Sequence, residues 1–125
     1  MDFNLELPQD HLYVHSVSDK GIRIGDDFLN CAFILSAQQL LTDWDVTVAD
    51  EIDQQSWQAI FDLQPELVLI GTGSNQVFLP PPVQALFFQQ GIGFEVMTTD
   101  AACRTFNILV SEGRQVVAAL LPITS

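Results

Sequence analysis

Positive charge is the component that this sequence has least of. Its 125 residues include 16 Asp and Glu but only four Lys and Arg, which gives a formal net charge of −12. Proteins that bind nucleic acids or anionic membranes neutralise phosphates with clustered lysine and arginine. The composition therefore argues against both of those ligands. The acidity either serves solubility or complements a basic surface on a protein partner.

Long apolar runs and cysteines are also scarce. No apolar run approaches the roughly 20 residues that span a bilayer, and the N-terminal stretch MDFNLELPQD lacks the basic start of a secretion signal. The two cysteines, Cys31 and Cys103, have no zinc-ligand spacing. We therefore expect a cytoplasmic protein with free thiols, no metal ion, no cofactor and no membrane-inserted segment.

The remaining composition is that of a folded domain. Hydrophobic residues make up 48% of the sequence and charged residues 16%, which is enough apolar material for one substantial core. The length is typical of a single domain. We expect a flexible N-terminal arm over residues 1–10 and one α/β domain over residues 11–125.

The first third of the sequence predicts β-hairpins. Short β-rich stretches are separated by the turn signals SDKG and GDD. The run FLNCAFIL at residues 28–35 is typical of a strand covered on both faces. We expect two or three antiparallel strands here, and their exposed edge would allow a dimer to form.

The last two thirds alternate strands with helices. Strands are predicted over residues 40–46, 67–71, 93–97 and 114–121. Helices are predicted from Asp50 or Asp53 to about Leu63, from Pro81 or Pro82 to about Gly91, and from Asp100, capped by Thr99, to Ser111. Such alternation indicates right-handed crossovers between parallel strands. The predicted fold is α/β, a three-layer β/α core with a mainly parallel sheet plus an N-terminal antiparallel β-hairpin unit.

Two segments follow predicted parallel strands at their carboxyl ends, where open α/β sheets bind ligands. The first contains Gly71, Thr72 and Gly73. Gln76 stands where a dinucleotide fingerprint needs a third glycine, and no P-loop lysine follows. The glycine pair is therefore either a weak phosphate cradle or a tight exit from the strand.

The second segment leads into the last predicted helix. Thr98, Thr99 and the free amides of the first helical turn favour an anion, and Arg104 and Asn107 share one helical face. Alternatively, Thr99 is only a helix cap and Arg104 pairs with one of the chain's own carboxylates. The candidate binding residues around a crevice between the two segments are Gly71, Thr72, Gly73, Thr98, Thr99, Arg104 and Asn107.

No catalytic constellation is visible in the sequence. It contains no G-x-S-x-G, no H-E-x-x-H and no calcium-binding loop. His11 and His15 lie far along the chain from Cys103. Because triad members can be scattered, enzymatic activity stays open as the less favoured hypothesis. No catalytic residue is assigned.

Three stretches together resemble one family of uncharacterised domains. They are LVLIGTG at residues 67–73, GIGFEVMTTDAACRTFNIL at residues 91–109 and EGRQVVAALL at residues 112–121. The one departure is Phe106, where tyrosine is expected in many members. The family is related to a mitochondrial assembly factor of respiratory complex I, NADH dehydrogenase assembly factor three.

The resemblance implies a three-layer β/α fold, no established enzymatic activity and work with protein partners. Two functions follow as hypotheses. The first is a non-catalytic protein-interaction module that assists assembly of a respiratory membrane complex. The second is a protein, or an enzyme, that binds a small anionic ligand in the crevice at the carboxyl ends of the parallel strands.

Overall fold

Two β-sheets and three helices make up the part of the chain that the computed structural model describes, residues 11–44, 46 and 54–123. The strands are β1 Val14–Ser18, β2 Gly21–Ile24, β3 Asp27–Leu29, β4 Phe33–Ser36, β5 Leu40–Leu41, β6 Leu67–Gly71, β7 Gly93–Met97 and β8 Val116–Leu120. The helices are α1 Gln54–Phe61, α2 Pro81–Gln90 and α3 Thr99–Ser111. The predicted arm over residues 1–10 lies outside the described residues, so the division into an arm and one domain stays a prediction.

The N-terminal hairpin unit forms as predicted. Strands β1, β2 and β3 pair consecutively and antiparallel in a three-stranded sheet. The predicted single strand over residues 28–35 is wrong, because Asn30 and Cys31 are exposed and the chain there passes from one sheet to the other. Its first part belongs to β3 and its second part becomes β4 of the larger sheet.

The larger sheet has the order β5-β4-β8-β6-β7 and is mixed. Strand β6 pairs parallel with β7 and β8, whereas β4 pairs antiparallel with β8 and β5. The prediction of a mainly parallel sheet is therefore wrong. Strand β4 pairs antiparallel with β8 through the packing of distant segments, since no turn connects the two strands. It pairs antiparallel with β5 because the two are joined by a tight turn, in which Ser36 N donates to Gln39 O at 2.8 Å. A hairpin forces antiparallel pairing, since only a crossover connection makes neighbours parallel.

The ends of helices α2 and α3 lie at or within one residue of the positions that the sequence predicts. Helix α2 begins at Pro81 and is closed by Gly91 in the left-handed conformation at φ 67°, as proline and glycine positions predict. Helix α3 is capped by Thr98, whose side chain accepts a hydrogen bond from Ala101 N at 3.3 Å. The prediction that Thr99 is the cap is therefore wrong by one residue. The predicted caps of α1, Asp50 and Asp53, lie outside the described residues.

The core lies on both faces of the five-stranded sheet, because side chains alternate along each strand. In β8, Val116, Ala118 and Leu120 face one side, Val117 and Ala119 face the other, and all five are buried. Helix α3 and the N-terminal sheet cover the first side, which we call the α3 face. Helices α1 and α2 cover the second. The fold is α/β with three layers, as predicted.

We call the second side the aromatic face because of the rings packed on it. The buried rings come from Trp44, Trp57, Phe61 and Phe87. Phe87 is at the centre, with ring centroids 5.3 Å from Trp57, 5.0 Å from Phe61 and 4.8 Å from Phe94. Edge-to-face and tilted pairs at such distances are favourable beyond the area that they bury.

Candidate functional site

The two predicted segments meet at the carboxyl ends of β6 and β7. The helix after β6, α2, packs on the aromatic face, and the helix after β7, α3, packs on the opposite face. Neighbouring connections that diverge in this way form the switch point at which open sheets bind ligands. Thr72 N donates to Met97 O at 2.9 Å, and Thr99 N donates to Gly73 O at 3.0 Å. The structure thus brings together Gly71, Thr72, Gly73, Thr98 and Thr99, which we call the rim.

Thr99 is the central side chain of the rim. It is fully buried, and its hydroxyl donates to Leu121 O at 2.6 Å while accepting from Gly73 N at 2.8 Å. One hydroxyl therefore joins the segments that follow β6, β7 and β8. A buried hydroxyl with both bonds made is stable, whereas each backbone group would be unsatisfied without it.

Gly71 is required by the same close approach. A Cβ atom at this position would lie 2.9 Å from both the Cα atom and the hydroxyl oxygen of Thr99, and 2.9 Å from a methyl group of Leu120. Only glycine allows the backbone to come this near. Of the two interpretations of the glycine pair, the geometry at Gly71 corresponds to a tight strand exit.

The other two threonines of the rim also bond to nearby backbone groups. Thr72 donates its hydroxyl hydrogen to Asn75 O at 2.6 Å, and Thr98 caps α3. The threonine hydroxyls of the rim are thus bonded to backbone groups of the protein itself. Binding of an anion by these residues stays a prediction.

The remaining two candidate residues lie elsewhere on α3. Arg104 is half-exposed and pairs with Asp100 one helical turn away, at 3.3 Å. Asn107 is fully buried on the α3 face, where its side-chain amide accepts from Val14 N at 3.0 Å and donates to Val14 O at 2.8 Å. Asn107 therefore fastens β1 of the N-terminal sheet to α3. The structure does not bring these two side chains into the rim.

Sequence analysis missed this role of Asn107, although a signal was present. Asn107 follows Cys103 by four residues and precedes Val110 by three, so it lies on the buried stripe of α3. A polar side chain in such a stripe needs a buried partner. The partner is an edge residue 93 positions earlier in the chain, which no local pattern identifies.

Two ionisable groups of the described residues have a shifted pKa. Burial, reinforced by the nearby Asp100 carboxylate, raises the pKa of the Cys103 thiol to about 12, so it is protonated at neutral pH. Hydrogen bonds from Gln115 N and from the Arg114 side chain lower the pKa of Glu66. In residues 11–44, 46 and 54–123, no group of three His, Cys, Asp or Glu is placed to hold a metal ion.

Strand β7 carries a feature that sequence analysis missed. It is the last strand of the described sheet, and Phe88 of α2 packs beside it with its ring 6.1 Å from that of Phe94. Phe88 is 72% exposed and Phe78, in the segment before α2, is 82% exposed. We call β7, Phe78 and Phe88 together the β7 edge surface. The run ALFF at residues 85–88 indicates this surface in the sequence. A helix that is buried on one side cannot bury two adjacent rings, so one of them must be exposed.

Strand β7 carries one acidic side chain and no basic one. Between Arg23 and Arg104 the sequence contains no Lys or Arg, and the one charged residue within α1, α2 and β4 to β7 is Glu95. Glu95 is exposed on β7 itself. Carboxylates that have no lysine or arginine nearby in the sequence attract a positively charged partner.

Known proteins are similar to this chain over most of its length. A sequence profile described as "Protein of unknown function (DUF498/DUF598)" matches residues 14–121. The mouse protein named "NADH dehydrogenase [ubiquinone] 1 alpha subcomplex assembly factor 3" is 37% identical over 120 residues, covering 94% of this chain. The chain spans 63% of the length of that mouse relative.

Two bacterial proteins extend the comparison. The "13 kDa major membrane protein" of Francisella tularensis is 33% identical over 93 residues, covering 74% of this chain and 76% of the relative. A crystal structure from Bordetella parapertussis superposes with a TM-score of 0.84 at 34% identity, covering 91% of this chain and 98% of the other. In this chain, none of the described helices has the length and apolar character needed to cross a bilayer.

Proposed function

The chain belongs to the family of proteins of unknown function DUF498/DUF598, and on that premise we propose that it is a non-catalytic protein-interaction module that assists assembly of a respiratory membrane complex. The name of the mouse relative supports the assembly role. Because the chain spans less than two thirds of that relative, the partners are part of the proposal.

The observation that carries the proposal is the β7 edge surface. Single exposed apolar side chains are common on proteins, but large aromatic residues beside an open strand edge are typical of protein interfaces. Phe78 and Phe88 are the two most exposed large hydrophobic residues in the described part of the chain. Both belong to the segment that joins β6 to β7.

The states of Thr99 and Cys103 support a non-catalytic role. A nucleophile or base needs a group that is free to act on a substrate. Thr99 has both of its hydrogen bonds inside the protein, and the thiol of Cys103 is held in its protonated form. Both groups are more suited to holding the fold than to chemistry.

Deletion of the gene in the host organism tests the assembly role. We expect fully assembled respiratory NADH dehydrogenase to fall on native gels while its subunits are still synthesised, and a plasmid copy to restore it. A copy with Phe78→Ser and Phe88→Ser should fail to restore it. The matched control is Ile108→Ser, which changes a 47% exposed apolar residue on α3 and should restore assembly. Normal respiratory complexes in the deletion strain would contradict the proposal.

The alternative of a small anionic ligand at the rim is supported by one observation, the position of the rim at the switch point of the sheet. A ligand that binds the folded state raises its melting temperature. Titration with inorganic phosphate and with dicarboxylates should then raise the melting temperature of the wild type. The absence of any shift at millimolar ligand would rule out this alternative for those anions.

The cytoplasmic location and a dimer also stay predictions.

A further inference from the structure

We infer that the β7 edge surface binds an extended segment of a protein partner, with lysine or arginine between apolar residues, as a sixth strand beside β7. The inference rests on the proposed function and specifies the chemistry of the partner. Three features support it: the backbone of β7, the exposed aromatic side chains of the β7 edge surface, and the charge of Glu95 in a chain of net charge −12.

The backbone of β7 has an outward edge that a new strand can use. Met97 O accepts from Thr72 N on the inner side, next to β6. Val96 O instead accepts from the side chain of Gln76 at 3.0 Å, so it faces the outer side. Because backbone groups alternate along a strand, those of Phe94 face outward with those of Val96. Added strands bind to such an edge through main-chain hydrogen bonds.

Gln76 occupies this edge in the present structure. Its side-chain amide makes one bond of the kind that a neighbouring strand would make to Val96 O. Natural proteins cover open edges to prevent unwanted pairing. Gln76 is itself exposed, so an incoming strand can displace its amide, which then bonds to water.

The aromatic side chains provide the apolar contacts for alternate residues of such a strand. Phe88 lies beside Phe94 in β7. Phe78 lies two residues after Gln76, which contacts β7 at Val96. One exposed ring, Phe88, therefore lies next to a residue whose backbone faces outward, and Phe78 follows closely in the chain after the residue that bonds to the other. Aromatic anchors of this kind contribute most of the binding energy at interfaces.

Charge identifies the partner as a basic segment and disfavours a second copy. In antiparallel pairing of two β7 strands centred on Glu95, that residue would face its own copy, and each chain carries a net charge of −12. Like charges directly opposite each other destabilise a strand pair. An anionic membrane surface is repelled for the same reason. A segment with lysine or arginine near Glu95 is attracted instead.

Photo-crosslinking in the host organism tests the inference. Benzoylphenylalanine replaces Phe88 or Phe78 in the full chain, and Ile108 on α3 is the control position. We expect adducts from the two β7 positions and none from the control. The crosslinked peptide should come from another protein and alternate apolar residues with Lys or Arg. Adducts with a second copy of this chain, with lipid or with an acidic segment would overturn the inference.

A synthetic peptide of the crosslinked segment then tests the binding mode. Glu95→Lys should weaken binding about tenfold, as expected for a charge reversal at an interface. Glu112→Lys makes the same change on an exposed residue after α3 and should leave the affinity unchanged. N-methylation of alternate peptide residues leaves the protein intact, so it should abolish binding in one register only. Equal losses in both registers, or none, would rule out strand addition.

The outcomes separate the inference from the proposed function. Loss of complex assembly in the deletion strain, without adducts at β7, would leave the proposed function standing and refute the inference. The reverse result is also possible. Crosslinks to basic segments in the wild type, together with normal respiratory complexes in the deletion strain, would support the inference and contradict the proposed function.

Discussion

The two faces of the five-stranded sheet are held together by different kinds of interaction. On the α3 face, Asn107 bonds to β1 and Thr99 bonds across the rim, and these are the two fully buried polar residues in the described part of the chain. On the aromatic face, ring stacking around Phe87 dominates. Hydrogen bonds need one particular geometry, whereas apolar packing tolerates variation. The hydrogen bonds of Asn107 and Thr99 therefore fix the arrangement of the α3 face. The aromatic face instead continues into exposed rings at the β7 edge surface.

The largest effect should come from Phe87 on the aromatic face. Phe87→Ala removes the ring that contacts three others and should lower the free energy of unfolding by about 4 kcal/mol. The adjacent Phe88→Ala is the matched control, because its ring is mostly exposed, and it should change stability by less than about 0.5 kcal/mol. Denaturant titration of both variants checks the pair. Equal losses would contradict the separation of a buried and an exposed ring on α2.

The next effect should come from Asn107 on the α3 face. Asn107→Leu replaces the amide with an apolar side chain of similar size. It leaves Val14 N–H and C=O buried without partners, so it should destabilise the fold by about 3 kcal/mol. Hydrogen exchange at the Val14 amide should also become faster than in the wild type. The control is Arg104→Leu on the exposed side of the same helix, where the ion pair with Asp100 contributes less than about 0.5 kcal/mol. A stable Asn107→Leu variant would show that packing alone holds the N-terminal sheet.

The two threonines of the rim give a smaller and finer test. Thr99→Val keeps the shape of the side chain but leaves Gly73 N and Leu121 O unsatisfied, which should lower the unfolding free energy by about 2 kcal/mol. Thr98→Val removes only the helix cap and should lower it by about 1 kcal/mol. Thermal and denaturant unfolding distinguish the two. The opposite order would mean that Thr99 is the cap after all.

The smallest effect should come from Glu66, the residue directly before β6. Because its pKa is lowered in the folded state, its stabilising contribution is present above the ordinary carboxylate pKa and is lost as the pH falls through the folded value. The stability difference between wild type and Glu66→Gln should therefore be present at pH 7 and should disappear as the pH falls through the lowered pKa of Glu66. A difference that is constant with pH would contradict a role for the charge.

The sequence predicted local boundaries better than it predicted contacts between distant segments. Proline at the start of α2 and glycine at its end act within a few residues, so Pro81 and Gly91 mark that helix without further information. The Thr98 cap differs from the predicted Thr99 because both residues can cap, and only the contact of Thr99 with Gly73 and Leu121 selects between them. The rim itself followed from topology, since carboxyl ends of neighbouring parallel strands lie at one edge.

By itself the sequence determined the fold class, the alternation of strands and helices after the hairpins, the acidity and the family resemblance. These follow from local periodicity, turn chemistry and composition, which the chain carries in any environment. Only the tertiary structure decided the antiparallel entry of β4, the burial of Asn107 against Val14 and the exposure of the rings beside β7. Each of these depends on which distant segments become neighbours, and that selection is made by the packing of the whole sheet.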